Sequence, residues 1–111
     1  MAAFAAGAIV LVRFPFSDLT RTKLRPALVL ADAGRGDFLL CQITSNPYAD
    51  PRAVELGEGS FVRGTLQRTS YARPGKLFTA SESVILRAVA ELGQQAHREV
   101  VTAVVELIRG D

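Results

Sequence analysis

The stretch Ile9–Leu30, IVLVRFPFSDLTRTKLRPALVL, decides how the chain is read. It holds two apolar runs separated by a polar segment. Residues 8–14, AIVLVRF, are apolar and β-branched, the composition of a buried strand. Pro15, Ser17, Asp18, Thr20 and Thr22 then break any periodicity, which predicts a loop of about ten residues. Pro26 biases Arg25 toward an extended backbone. The run PALVLA predicts a second strand beginning at Pro26.

Outward from that stretch the strands are short. ADAGRGD, with two glycines and two aspartates, predicts a hairpin turn, and FLLCQI a third strand antiparallel to the second. TSNPYADPR is a long loop, AVEL a short strand and GEGS a turn. FVRGTL, RTSYAR and KLFT are further strand candidates, with Pro74-Gly75 as a turn between the last two. SESV predicts one helical turn with Ser81 as its N-cap. From Gln94 to Arg109 the pattern changes to a helix. Val100, Val101, Val104, Val105 and Ile108 form one face, Glu99 and Glu106 lie on others, and Gly110 is a stop signal. His97 extends the apolar stripe one turn earlier and reads as a partly buried, hydrogen-bonded helix-edge histidine. The expected fold is mainly β (a β-rich α+β chain): a small, strongly bent antiparallel sheet or barrel with a C-terminal helix packed on it.

The 111 residues fit one domain, 1–111, with one core. Cys41 is the only cysteine, so no internal disulfide forms, which fits a reducing compartment such as the cytoplasm. Its place in FLLCQI reads as a buried structural thiol. One His and one Cys do not make a common zinc site. No run of about 18 apolar residues marks a membrane helix, and MAAFAAGAIV lacks the basic start of a signal peptide. Net charge is only +2 but uneven: residues 1–87 hold 11 basic and 7 acidic side chains, residues 88–111 only 2 basic against 4 acidic. Eleven of the 13 basic residues are Arg, which suits phosphate and equally fits a compositional bias.

Several chemistries lack their motif: there is no GxxxxGK, no G-x-S-x-G and no conspicuous pair of carboxylates. What stands out is polar residues at the ends of apolar strands. If the second and third strands form a hairpin, Arg25 and Thr44 come to its same open end. Ser17, Asp18, Thr20, Arg21, Thr22 and Lys23 fill the loop beside it, and Ser45 and Asn46 follow Thr44. An Arg and a hydroxyl facing each other beside a basic loop suit a phosphate. Ordinary loop and edge residues give the same pattern, and residues alone leave both readings open.

Five pieces in order resemble the MazF/PemK family of type II toxin–antitoxin ribonucleases, closest to its PemK-like branch. They are Gly7-Ala8-Ile9-Val10 with VRFPFSD, KLRPALVL, CQITS, TSYARPGKLFT and the helical end. The resemblance implies an SH3-like barrel closed by the helix, working as a homodimer. It implies metal-independent, sequence-selective cleavage of single-stranded RNA, chiefly messenger RNA, to 2′,3′-cyclic phosphate and 5′-hydroxyl ends, with no cofactor. The family's catalytic Arg matches Arg25, and its catalytic Thr or Ser matches Thr44. Its RNA contacts match Phe16, Ser17, Asp18, Thr22 and Lys23 in the loop, Ser45 beside Thr44, and Ser70, Arg73 and Lys76 downstream. The partner it implies is a cognate antitoxin whose acidic or amphipathic disordered segment wraps the basic groove. Two departures stand out: Ala8 where the family usually has Asp, and Leu19 and Arg21 where small residues are common.

The implied chemistry is physically sound. In-line attack by a ribose 2′-oxygen builds negative charge on the phosphate, which a fixed guanidinium neutralises and a hydroxyl shares by hydrogen bonding. A guanidinium is a poor general base, so Arg25 would act electrostatically. Two other readings remain beside it: a non-catalytic toxin of the same fold that poisons another target such as DNA gyrase, and a silent antitoxin-binding remnant. The Arg25–Thr44 pairing favours the nuclease, since a gyrase binder needs no such pair.

Overall fold

The computed structural model describes residues 3–15 and 22–110. The two apolar runs of the opening stretch pair directly. Strand β1 (Ala8–Pro15) lies antiparallel to β2 (Thr22–Gly34), with Ile9 opposite Leu28 and Val12 opposite Arg25. β2 therefore starts four residues before Pro26, the start read from the sequence. Pro26 leaves the residue before it extended, and β1 supplies a partner for the extended segment, so Lys23 and Arg25 are strand residues.

β2 turns into β3 (Asp37–Thr44) through Arg35 and Gly36. Both have positive φ, 57° and 79°, as the twist of a two-residue hairpin demands. The chain continues through β4 (Val54–Leu56), a single 3-10 turn Glu58–Ser60, β5 (Phe61–Gly64), β6 (Ser70–Ser81), a second 3-10 turn Glu82–Val84 and β7 (Ile85–Leu92). The Ser81 side chain caps that second turn by accepting from the Ser83 N–H. Helix α1 (Gln94–Arg109) ends at Gly110, whose φ of 83° lets its N–H reach the carbonyls of Glu106 and Leu107.

Two further elements differ from the sequence pattern. RTSYAR and KLFT are not separate strands: Pro74 and Gly75 sit inside β6. Opposite β3, Cys41 pairs with Leu77 and Ile43 with Ala72, so Arg73–Lys76 bulge out across from Gln42. A strand tolerates a proline at such a bulge because no ladder donor is needed there. Ile85–Leu92, to which the sequence pattern assigns no element, forms β7. Its register against β1 slips twice, between Ile9/Val10 and Leu11/Val12, so its burial does not alternate cleanly.

The seven strands form one antiparallel sheet in the order β4-β6-β3-β2-β1-β7-β5. The sheet curls into a half-barrel, mainly β with one C-terminal helix, as expected. Bulges bend the strands that carry them. The central strands are apolar on both faces. Ile9, Leu28, Cys41 and Ile43 join one core cluster; Val10, Val12, Ala27, Val29 and Leu40 join the other. Val100 and Val104 of α1 enter the first cluster together with Leu56 and Leu92 from near the two ends of the sheet. Burying a leucine such as Leu28, wholly inaccessible, stabilises the fold by about 1.5–3 kcal/mol.

Cys41 is buried, and its S–H points to the Arg73 carbonyl at 3.2 Å. Burial pushes its thiol up to about 12, so it is an unreactive core group. One ion pair ties the β3–β4 connection to the β6 bulge: Arg73 Nε donates to Asp50 Oδ2 at 3.1 Å, with both side chains largely covered. The Arg73 guanidinium also lies 5.4 Å from the Tyr48 ring centre. Asp50 Oδ1 accepts from the Arg52 N–H at 2.9 Å. His97 is partly buried as expected, but its Nδ1 has no hydrogen-bond partner among the described residues.

Leu28→Ala is expected to lose about 2–5 kcal/mol of unfolding free energy in a denaturant titration. Asp50 gives a pH signature. The Arg52 N–H first, and then Arg73, hold its carboxyl below its ordinary value of 3.8. The resulting stability is complete above that value and is lost as pH falls through the lower, folded one. The melting temperature of Asp50→Asn should lie below that of the parent at neutral pH, and the gap should narrow below pH 3.8.

Candidate functional site

Pro26 has no N–H to give to a ladder. β2 stays paired to β1 out to Thr22, but its ladder to β3 stops at Ala27 opposite Gln42. Two positions further out, the same register brings Arg25 level with Thr44, beyond the last pair. Level residues on neighbouring strands point to the same face. A groove of about 460 Å³ opens at this unpaired end. Lys23, Leu24 and Arg25 line it from β2, Ile43, Thr44 and Ser45 from the end of β3, and Leu66, Gln67, Arg68 and Ser70 from the β5–β6 connection and the start of β6.

The hydroxyls are held locally. Thr44 Oγ1 accepts from the Asn46 N–H at 3.1 Å and donates to the Asn46 carbonyl at 3.0 Å, a turn that fixes the strand exit. Ser70, only 6% exposed, donates to the Arg68 carbonyl at 3.0 Å and so anchors the opposite wall. Ser45 and Lys23 are exposed, and Arg25 is half-buried. Three cations, Lys23, Arg25 and Arg68, line the groove, and no Asp, Glu or His does among the described residues. Such a lining neutralises an anion and donates hydrogen bonds to it.

Of the residues singled out in the sequence, the groove brings together Lys23, Arg25, Thr44, Ser45 and Ser70. Arg73 and Lys76 are not on its lining. Arg73 is engaged by Asp50 and Tyr48, and Lys76 is exposed on the β6 bulge. Phe16, Ser17 and Asp18 lie outside the described residues, and of Thr22 only the strand backbone is described. Leu66, Gln67 and Arg68 are additions that the strand-by-strand reading passes over. Their only signal in the sequence is a polar pair beside Ser70.

A second hollow of about 330 Å³ adjoins the groove, sharing Leu66, Gln67 and Arg68. His97 lies elsewhere, in a hollow with Glu91, Val62 and Gln94, and burial holds its imidazole below 6.5. Among the described residues, no three His, Cys, Asp or Glu side chains gather where a metal ion could bind. No helix there is long and apolar enough to cross a membrane.

Solved structures share this fold along nearly the whole chain. A MazE–MazF crystal structure (form II) from Deinococcus radiodurans superposes with a TM-score of 0.79 at 21% identity, covering 100% of both chains. The Mycobacterium tuberculosis toxin MazF-mt6 gives 0.71 at 15% identity, covering 92% of this chain and 96% of that one. An endoribonuclease in complex with its cognate antitoxin, from a mycobacterial species, gives 0.71 at 15%, covering 99% and 96%. At these identities the likeness is one of fold. No curated protein matches the chain in sequence. The sequence match that goes further than fold is to a family profile, "PemK-like, MazF-like toxin of type II toxin-antitoxin system", over residues 5–108. With all but the ends of the chain inside that match, the chain belongs to the PemK-like, MazF-like toxin family of type II toxin–antitoxin systems.

Proposed function

We propose that this toxin is an endoribonuclease that cleaves single-stranded messenger RNA in the cytoplasm without a metal or cofactor. Toxins of this family are generally endoribonucleases. The observation that carries the reading is the meeting of Arg25, Thr44 and Ser45 with Lys23 on a groove where the β2–β3 ladder ends and which no acidic side chain lines among the described residues.

The reaction is an in-line displacement. The ribose 2′-hydroxyl gives its proton to water and its oxygen bonds to the adjacent phosphorus, the bond to the 5′-oxygen breaks and that oxygen takes up a proton, and the ends are a 2′,3′-cyclic phosphate and a 5′-hydroxyl. Arg25 neutralises charge growing on the non-bridging oxygens and donates to them. Thr44 orients the phosphate; its hydroxyl is already placed by Asn46 and needs only to turn its proton outward. Lys23 and Arg68 hold flanking phosphates. A 2′-hydroxyl nucleophile restricts the reaction to RNA. The working unit is a homodimer. Its inhibitor is a cognate antitoxin that lays an acidic segment along the same groove, covering Arg25.

End-mapping of a single-stranded RNA incubated with the purified protein in a chelator should find cyclic-phosphate and 5′-hydroxyl ends. Arg25→Ala should slow cleavage by about a hundred- to a thousand-fold while the melting curve is kept. Full-rate cleavage by that variant would remove Arg25 from the mechanism. RNA affinity should fall with salt, and Lys23→Ala should flatten the log–log slope by about 0.7 for its one lost phosphate contact.

A further inference from the structure

The sheet is open along one seam. β4 and β5 are its two edge strands, yet only Gly57–Ser60 separate them in the chain. The edges are therefore neighbours in space without being paired to each other. The hollow of about 330 Å³ lies at this seam, between Leu56 at the end of β4, Glu58 and Phe61 across the short turn, and the β5–β6 connection. Its apolar lining is the buried Leu56 with the half-buried Phe61 and Leu66. Its polar lining includes Glu58 and Gln67, both exposed, whose side chains have no hydrogen-bond or ion-pair partner among the described residues.

This is the chemistry a single unstacked base requires: an apolar bed with one ring for its face, and unpartnered donors and acceptors for its edge. Continuity makes it accessible to the strand. Leu66, Gln67 and Arg68 belong to the hollow and to the groove at once. A strand with one phosphate beside Arg25 and the next beside Arg68 carries its flanking base to the seam. Glu58 then decides which base is accepted. A carboxylate beside phosphates is repelled by them and is useful only toward a donor. It accepts from the exocyclic amino group of cytosine, adenine or guanine, whereas uracil offers only an N3–H flanked by two carbonyl oxygens that repel a carboxylate.

Resting on the ribonuclease reading, we infer that the seam hollow is a base-specificity pocket, in which Glu58 and Gln67 select an amino-bearing base beside the scissile phosphate.

The test uses uncleavable oligoribonucleotides carrying a 2′-O-methyl group at the scissile position and differing in one base. The full-length protein is titrated with each, and the melting curve of each variant is checked beside the parent. The parent should discriminate an amino-bearing base from uracil at one flanking position by about tenfold. Glu58→Gln should shift that preference and Glu58→Ala abolish it, while preferences at other positions stay. An unchanged profile in both variants, or a flat profile in the parent, overturns the pocket. Cleavage of the matching unmodified RNAs separates the two proposals. Discrimination without cleavage supports the pocket and sinks the nuclease, whereas cleavage whose base preference ignores Glu58 does the reverse.

Discussion

A proline in an inner strand obliges one of the neighbouring ladders to give way, and here it is the ladder to β3. β2 lies between β1 and β3, and Pro26 has no N–H to offer either. Pairing to β1 runs on to Thr22, while pairing to β3 ends one residue after the proline. Thr22–Arg25 is thereby held on one side only. In a fully laddered sheet the same residues would be enclosed by β3. Here the groove opens in that gap, with Thr44 at the level where the missing pair would have been. The backbone alone thus sets where the cations and hydroxyls converge.

The seam at the other side has a related origin. Each register slip on β1, β2, β3 and β7 adds bend, and the bend brings the sheet edges round toward each other. Closure is unnecessary for burial, because α1 contributes Val100 and Val104 to the cluster that both ends of the sheet share. A helix that buries the core leaves the edge strands free to stop short of pairing. Groove and hollow are then two consequences of incomplete pairing in a sheet whose core is complete. Gly64 shows how tightly the seam strand is set: it has φ +61°, and a Cβ there would collide with the Val89 carbonyl.

The sequence carries the fold wherever one local pattern dominates. β1, the Arg35–Gly36 hairpin and β3 announce themselves as apolar runs punctuated by a turn. α1 spans Gln94–Arg109 as its stripe predicts, with Val100 and Val104 buried, whereas Val105 and Ile108 of that stripe are exposed. The pattern fails where the pairing itself is irregular. β7 alternates poorly because β1 slips against it twice, and Pro74-Gly75 signals a turn where the structure builds a bulge. The site divides in the same way. Arg25 and Thr44 follow from counting along a hairpin. That Arg73 is engaged could not be counted, since Asp50 comes from a separate connection 23 residues away. Gln67 sits between two strand candidates and Arg68 opens the second of them, where no periodicity singles them out.

Arg68 and Arg73 carry the same charge, stand five positions apart, and do different work because, among the described residues, only Arg73 has a carboxylate partner. Asp50 takes up the charge of Arg73 and spends it on holding the β3–β4 connection, the segment that leads away from Thr44. Arg68 has no ion-pair partner among the described residues, and its carbonyl is held by Ser70 where the residue lines the groove. Net charge of +2 therefore says little about affinity for a polyanion. What matters is that, among the described residues, three cations and no acid line the groove, and the acidic helix residues Glu99 and Glu106 do not line it. Uneven charge of this kind steers a polyanion to one face by its local field, and weakens as salt screens it. Within such a field the carboxylate at the edge of the path, Glu58, is informative by its cost. It opposes the phosphates that the rest of the groove attracts, and an amino-bearing base is the ligand that turns that cost into selectivity.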